Sequence, residues 1–469
     1  MKNSNELLAK KLKKEAIECV QTLSTHGLPN LSRTKYKFIK FMWSCLTILS
    51  AGLSIYFIVK TLSEYADFNV TTEVKLIYSD NQPIEFPSVS ICNYNQFSTD
   101  FSLQLIDELI KTKFNYSFNE IFDPNFPNQN LTFMAKYYLK HNESKYLFQN
   151  VNMSKREEYT LSIRDSLKYC RFANSICNYT DFDWFFNSKY GNCYKFNGKG
   201  LKTINKNNQE NGLFIELLLR HPQKIDALGF GKGLYLSIDS SNLDTYSDFE
   251  NLIEISAGVQ TSIKLEKSLF QKYPRPYSNC DFYNDLSIND DSSLNSQQQE
   301  LYQQIKQANF SYSHSFCVVF CRHKMMSQLF ECKFKANSLQ VPNVNYCPSS
   351  SNANNSIIEN ETSNFNNITN TCSKLCPREC ETIKYDMDIY INKFTKMDID
   401  YVKYHNNLTN DSVDIENLVI LKIFYGSMSY MSYKEWPSMS VFGLISNLGG
   451  ILGLFLGITC IFLFNYKII

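Results

Sequence analysis

The sequence predicts an α+β membrane protein in which two transmembrane helices flank a large, disulfide-rich extracellular domain. Three observations predict it. The 469-residue chain has one uncharged apolar run at residues 41–59, another at 441–464, and twelve of its fifteen cysteines between them. Each run can cross a bilayer as helix, because about 20 apolar residues at about 1.5 Å rise cover a hydrocarbon core of roughly 30 Å.

Charge sets the orientation. Residues 1–40 hold nine Lys/Arg against three Asp/Glu, and by the positive-inside rule that segment is cytosolic. The long polar lead-in and the lack of a small-residue cleavage pattern argue against a cleaved signal peptide. Two crossings then leave both termini in the cytosol of a multi-pass plasma-membrane protein. The expected divisions are a cytosolic segment at 1–40, a first span at 41–59, an extracellular domain at 60–436, a lead-in with the second span at 437–466, and a cytosolic end at 467–469.

Two further features agree with an external middle. Its cysteines are even in number, as a disulfide framework needs, while Cys19, Cys45 and Cys460 fall in the tail or the spans. It also carries Asn-X-Ser/Thr sequons at Asn69, Asn115, Asn130, Asn142, Asn152, Asn178, Asn309, Asn354, Asn360, Asn367, Asn407 and Asn410, usable as glycosylation sites only in the secretory lumen. Asn30 sits in a sequon on the cytosolic side and is read as chance.

Elements follow from periodicity. An amphipathic start (Leu7, Leu8, Leu12, Ile17) predicts a short helix ending near Ser24. Period-two stretches at 70–78, 86–92, 212–219, 233–238 and 254–265 predict strands, and 103–111 a helix. Residues 285–307 and 348–370 are low in complexity, the first with a helix at 297–307. Cys317 and Cys321 stand four apart in a helical stretch, and Cys372, Cys376 and Cys380 repeat that step. Two antiparallel segments with matching steps can be joined by nested rungs, Cys321–Cys372 and Cys317–Cys376, continued by Cys280–Cys380 and closed by Cys332–Cys347; spacing alone leaves other orders open.

A net charge of +1 without a basic stripe gives no sign of nucleic-acid binding. No nucleophile elbow, metal-binding His cluster or phosphate loop is present, so neither an enzyme nor a cofactor is expected. Acidic pairs such as Asp181 and Asp183 read as solvated surface.

Several local motifs converge. Thr25-His26-Gly27 precedes the first run, which opens Lys40-Phe41-Met42-Trp43. Phe86-Pro87-Ser88-Val89-Ser90-Ile91-Cys92-Asn93 lies beyond it, then Tyr273-Pro274-Arg275-Pro276-Tyr277 before Cys280, then the later cysteines. The final run reads Gly443-Leu444-Ile445-Ser446-Asn447-Leu448-Gly449-Gly450-Ile451-Leu452-Gly453-Leu454-Phe455-Leu456-Gly457-Ile458-Thr459. Together these resemble the epithelial sodium channel/degenerin/acid-sensing channel family over nearly the whole chain.

The resemblance implies a homo- or heterotrimer with palm, knuckle, finger, thumb and β-ball parts above a pore lined by the second span. It implies the disulfides Cys92–Cys193 and Cys170–Cys177 and supports the nested ladder. It implies a selectivity filter at Gly457, Ile458 and Thr459, with Ser446, Asn447, Gly449, Gly450 and Gly453 lining pore and gate, Gly453 matching a position associated with amiloride block. His26 and Gly27 resemble a pair that influences open probability. Phe68 and Tyr277 are the counterparts of an aromatic pair coupling ectodomain to pore.

Physics supports the pore reading in part. Ser446, Gly449, Gly453 and Gly457 share one helix face without bulk, which lets backbones approach closely and lets carbonyls and a hydroxyl replace an ion's hydration shell in a three-fold bundle. The sequence departs from the family in lacking acidic residues after the filter and having Lys467 there, which lowers cation enrichment at that mouth. The expected function is passive conduction of Na+ and other small monovalent cations, blocked by amiloride-type compounds and gated by the ectodomain, with room for an extracellular ligand. The alternative is a non-conducting cell-surface receptor or accessory subunit on the same scaffold. With no histidine between residues 60 and 89, an acid trigger is disfavoured.

Overall fold

The computed structural model describes residues 27–79, 82–95, 98–150, 153–160, 162–187, 190–207, 209–219, 231–240, 252–281, 296–307, 312–329, 367–405 and 415–457. Contacts divide the chain into two compact units. One takes in the chain up to Glu73, the stretch Tyr273–Ser278 and the chain from Lys434; the other comprises Val74–Lys272 and Asn279–Tyr433.

Strands β1 (Val70–Tyr78), β2 (Ser88–Asn93), β3 (Leu167–Phe172), β4 (Ser175–Ile176), β5 (Phe182–Asn187), β6 (Gly191–Phe196), β7 (Leu213–Leu218), β8 (Gly233–Asp239), β9 (Leu252–Ser256), β10 (Val259–Gln271), β11 (Glu381–Lys393), β12 (Leu418–Tyr425) and β13 (Ser429–Pro437) build two sheets. The eight-stranded sheet is ordered β1-β13-β10-β12-β7-β3-β4 with β11 also paired to β10, and the five-stranded sheet β9-β8-β2-β6-β5. β10 is the spine of the larger sheet. It meets β11 antiparallel along its whole length and β12 in parallel over Val259–Leu265.

Alternate residues of both sheets enter one core. Leu213, Ile215 and Leu217 of β7 and Val419, Leu421 and Ile423 of β12 share a buried cluster with Val89 and Ile91 of β2 and Leu234, Leu236 and Ile238 of β8. This is the period-two pattern of facing sheets, and each such side chain contributes about 1.5–3 kcal/mol by leaving water. Cys92 and Cys193 stand directly opposite on β2 and β6 and are bonded. Cys170–Cys177 closes the β3–β4 hairpin.

One predicted strand is two. The apolar alternation through 254–265 crosses a turn at Ala257 and Gly258, where Gly258 has φ +83°. Its N–H donates to the Leu418 carbonyl while that of Ala257 donates to Lys232, so β9 ends in one sheet and β10 begins in the other. Periodicity continues across such a turn; only the left-handed glycine marks it.

The described helices are α1 (Leu28–Arg33), α2 (Lys37–Ala66), α3 (Asp100–Phe114), α4 (Gln129–Asn150), α5 (Ser296–Gln307), α6 (His314–Leu329), α7 (Lys396–His405) and α8 (Val441–Ile451), with short 4-residue turns at Phe118–Ile121 and Ile163–Ser166; residues 367–375 are also helical. Ile106, Leu109 and Ile110 of α3 bury against Ile121 and against Ala135 and Leu139 of α4. α6 carries Cys317 and Cys321 one turn apart, bonded to Cys376 and Cys372 with Cα separations of 5.8 and 5.7 Å. Cys280–Cys380 continues the series. Leu301, Tyr302 and Ile305 of α5 pack on these rungs. Cys332 and Cys347, and the amphipathic start, lie outside the described residues.

Among the sequons, Asn69, Asn115, Asn130, Asn178 and Asn367 are exposed. Asn142 lies in α4; Asn152, Asn309, Asn354, Asn360, Asn407 and Asn410 fall outside the described residues.

A prediction follows from the nested rungs. A typical native bridge contributes about 2–4 kcal/mol, but Cys317–Cys376 closes almost the same loop as Cys321–Cys372. The double substitution Cys321→Ser/Cys372→Ser is therefore expected to cost no more than the low end of that range in a thermal melt. Adding Cys317→Ser/Cys376→Ser is expected to abolish surface expression.

Candidate functional site

The unit containing α1, α2 and α8 holds the residues singled out for a pore. α2 is 30 residues long and, among the described residues, is the one helix long and apolar enough to cross a membrane. It exceeds the predicted 41–59 because polar ends, Lys37 to Lys40 and Lys60 to Ala66, stay helical. Phe38, Phe41, Ile48, Leu49, Ile55, Tyr56 and Val59 are bare in the single chain, as suits a helix whose surroundings are lipid or other helices.

α8 begins where the Ser440 side chain accepts the Gly443 N–H at 3.0 Å, a hydroxyl N-cap. After Ile451 the helix widens into a π-turn over Leu452–Leu456 and stops at Gly457, with φ +68° and ψ 21°. The left-handed region ends an α-helix with little penalty only for glycine. Ile458 and Thr459 lie outside the described residues, so the helical part of the second apolar run is described only to this break.

Ser446, Asn447, Gly449 and Gly450 are exposed. A Cβ added to Gly449 or Gly450 would meet nothing within 4 Å, so packing inside this chain does not require their smallness. Phe455 lies within the π-turn. Its ring stacks on Phe57 of α2, with centroids 5.6 Å apart and planes 18° apart. The π-turn thus rests on the first helix through Phe455, while Gly453 is half-buried and Ser446, Asn447, Gly449 and Gly450 stay exposed.

Gly27 does the opposite. A Cβ there would come within 2.2 Å of Thr47 Oγ1, which itself donates to the Trp43 carbonyl at 2.7 Å. Glycine is what allows the start of α1 to lie against α2. His26 is outside the described residues.

The links between strands and helices are cross-tied. The Phe68 and Tyr277 rings meet edge to face at 5.3 Å and 83°, flanked by Tyr65 and Tyr273. Phe68 has φ +48°, an uncommon backbone for a bulky residue that aims its ring at the loop. Glu435 Oε2 accepts the Tyr273 N–H at 3.1 Å and the Ser278 hydroxyl at 2.6 Å, and Trp436 Nε1 donates to Glu73 at 3.2 Å. Ser438 N–H donates to the Asn69 carbonyl at 2.9 Å. Sequence reasoning missed Glu435, Trp436, Glu73 and Thr47. An acidic residue beside a tryptophan, just before an apolar run, was the available signal for the first two.

Comparison with known proteins identifies the class. The family model described as "Amiloride-sensitive sodium channel" matches residues 19–466, and the chain belongs to that family of membrane ion channels. Among its relatives, a bile acid-sensitive ion channel from Rattus norvegicus is 25% identical over 460 residues, 93% of this chain and 83% of that protein. An acid-sensing ion channel 1C from Danio rerio is 22% identical over 491 residues, 99% and 86%. An FMRFamide-activated amiloride-sensitive sodium channel from Cornu aspersum is 26% identical over 359 residues, 71% and 50%. These relatives are ion channels, not enzymes.

Two outcomes test the geometry. Gly27→Ala is expected to cut any current carried by surface-expressed protein at least tenfold, and adding Thr47→Ala to restore most of it. A double-mutant cycle of Phe68→Leu and Tyr277→Leu, read by thermal melts, is expected to give a coupling of about 0.5–1.5 kcal/mol, the range for aromatic pairs.

Proposed function

We propose that the chain is a subunit of a trimeric, amiloride-sensitive, sodium-type cation channel in the plasma membrane, with both termini cytosolic and residues 60–436 outside. The observation that carries this reading is the exposed run of Ser446, Asn447, Gly449 and Gly450 on α8, followed by the left-handed helix end at Gly457. A helix face without side-chain bulk lets neighbouring backbones approach closely, which suits three copies gathered around water and ions. On this reading Gly457, Ile458 and Thr459 form the filter, Gly453 contributes to the blocker site, and Ser446 and Asn447 line the gate. His26 and Gly27 set open probability, and the Phe68–Tyr277 contact transmits motion of the ectodomain. The strands make palm and β-ball, α3 and α4 the finger, α5 and α6 the thumb, and α7 the knuckle.

The relatives named for bile acid and for FMRFamide support an organic extracellular trigger. The lack of histidine between residues 60 and 89 disfavours protons. Among the described residues the displaced carboxylates sit below their ordinary range: Glu120 through the Ser117 N–H, Glu300 through Lys324, Asp398 through Thr395, and Asp181 where burial is outweighed by Lys202. They stay ionised at neutral and mildly acid pH.

The test is whole-cell current with external sodium replaced by potassium and then by a large impermeant cation, with and without amiloride, in cells whose surface protein is labelled. The expected result is an amiloride-blocked inward current lost with the large cation, and a standing current in Ser446→Phe. Surface protein without current in either form would instead support the non-conducting receptor or accessory subunit.

A further inference from the structure

One face of the eight-stranded sheet carries a cavity of about 250 Å³ lined by Tyr169, Arg171, Phe214, Glu216, Ile420 and Lys422, together with Gln260 and Asp398. Its lining is fixed by register. Arg171 on β3 and Lys422 on β12 both stand directly opposite Phe214 on β7, and two residues along, Tyr169 and Ile420 stand opposite Glu216. β7 alternates, so Leu213, Ile215 and Leu217 enter the core while Phe214 and Glu216 face the cavity side.

The result is an aromatic ring between two cations. The Arg171 guanidinium lies 5.9 Å and the Lys422 ammonium 5.5 Å from the Phe214 centroid, within cation–π reach, and Tyr169 meets the same ring edge to face at 5.7 Å. Among the described residues neither cation forms an ion pair within 4 Å. Of the nearby carboxylates, Asp398 accepts through Oδ2 from the Thr395 N–H and hydroxyl at the start of α7 and also feels the Lys422 charge, and Glu216 is buried. Phe394 and Phe214 pack on Leu218, Leu418 and Ile420, so the segment leading into α7 covers one end of this face and the cavity lies beside it.

We propose that this cavity is a binding site for a small organic monocarboxylate with a flat apolar body. The carboxylate would sit against Arg171, whose planar fork suits two-point contact, with Lys422 as the second cation. The apolar body would lie on Phe214, Tyr169 and Ile420. Glu216 and Asp398 oppose a second negative charge, which selects against dicarboxylates and inorganic polyanions. The inference does not depend on conduction.

The experiment is ligand-observed saturation-transfer NMR on the purified full chain in nanodiscs, with 3-phenylpropionate as probe and phenethylamine, phenylsuccinate and inorganic phosphate as comparisons. The expected result is saturation of the probe's ring protons. Its Kd should rise at least tenfold in Arg171→Gln and in Lys422→Gln, return to within about threefold in Lys422→Arg, and be at least tenfold weaker for the amine and the diacid. Disulfide mapping of each variant separates lost binding from lost folding. No transfer to the wild-type chain, as expected if another copy of the chain covers this face, would overturn the proposal, and so would equal binding in correctly bridged variants or of the amine.

Discussion

The constraint on which the rest depends is that the strands entering and leaving the membrane segments are held to each other before either becomes helix. β1 continues from α2 through Phe68 and Asn69, and β13 continues toward α8 through Glu435, Trp436 and Ser438. The Asn69–Ser438 and Glu73–Trp436 hydrogen bonds tie the two links, and Glu435 ties the Tyr273–Ser278 loop to the second. A charged acceptor raises such a bond to about 1.5–3 kcal/mol, which applies to the part-buried Glu435 bonds; the Asn69–Ser438 bond joins neutral backbone groups. Displacement of one link therefore moves the others.

The second helix follows a different logic. Gly449 and Gly450 do not serve packing within the chain, and the helix closes at Gly457, whose N–H donates to the Gly453 carbonyl at 3.0 Å. The π-turn before the break redirects the backbone over a few residues, a feature often found at functional positions in helices.

Much of this was legible in the sequence because it depends on local pattern. Strands at 70–78 and 233–238, the helix within Asp100–Phe114 and the step-four cysteines on His314–Leu329 each follow from side-chain periodicity. The five bridges are among the pairings expected: spacing allowed the nested ladder as one order among others, and the family resemblance supported it and implied Cys92–Cys193 and Cys170–Cys177. What was not legible depends on register and close approach. Glu435 reaches Ser278 across a sequence separation of 157, Gly27 needs Thr47 as a neighbour to explain it, and Arg171, Phe214 and Lys422 form a row only once three strands are aligned. The change of sheet at Gly258 was hidden because the apolar alternation ran on through the turn.

If cations pass the backbone where α8 breaks, the reversal potential under sodium outside and potassium inside reports it most directly, compared between the natural chain and Gly457→Ala. Alanine is strained at φ +68°, so the backbone that faces the ion must shift. The expected result is a reversal potential displaced by tens of millivolts, on a scale of roughly 59 mV per tenfold change in permeability ratio for a singly charged ion, with surface expression retained. An unchanged reversal potential with undiminished current would contradict it, because the ions would then be passing somewhere other than the Gly457 backbone.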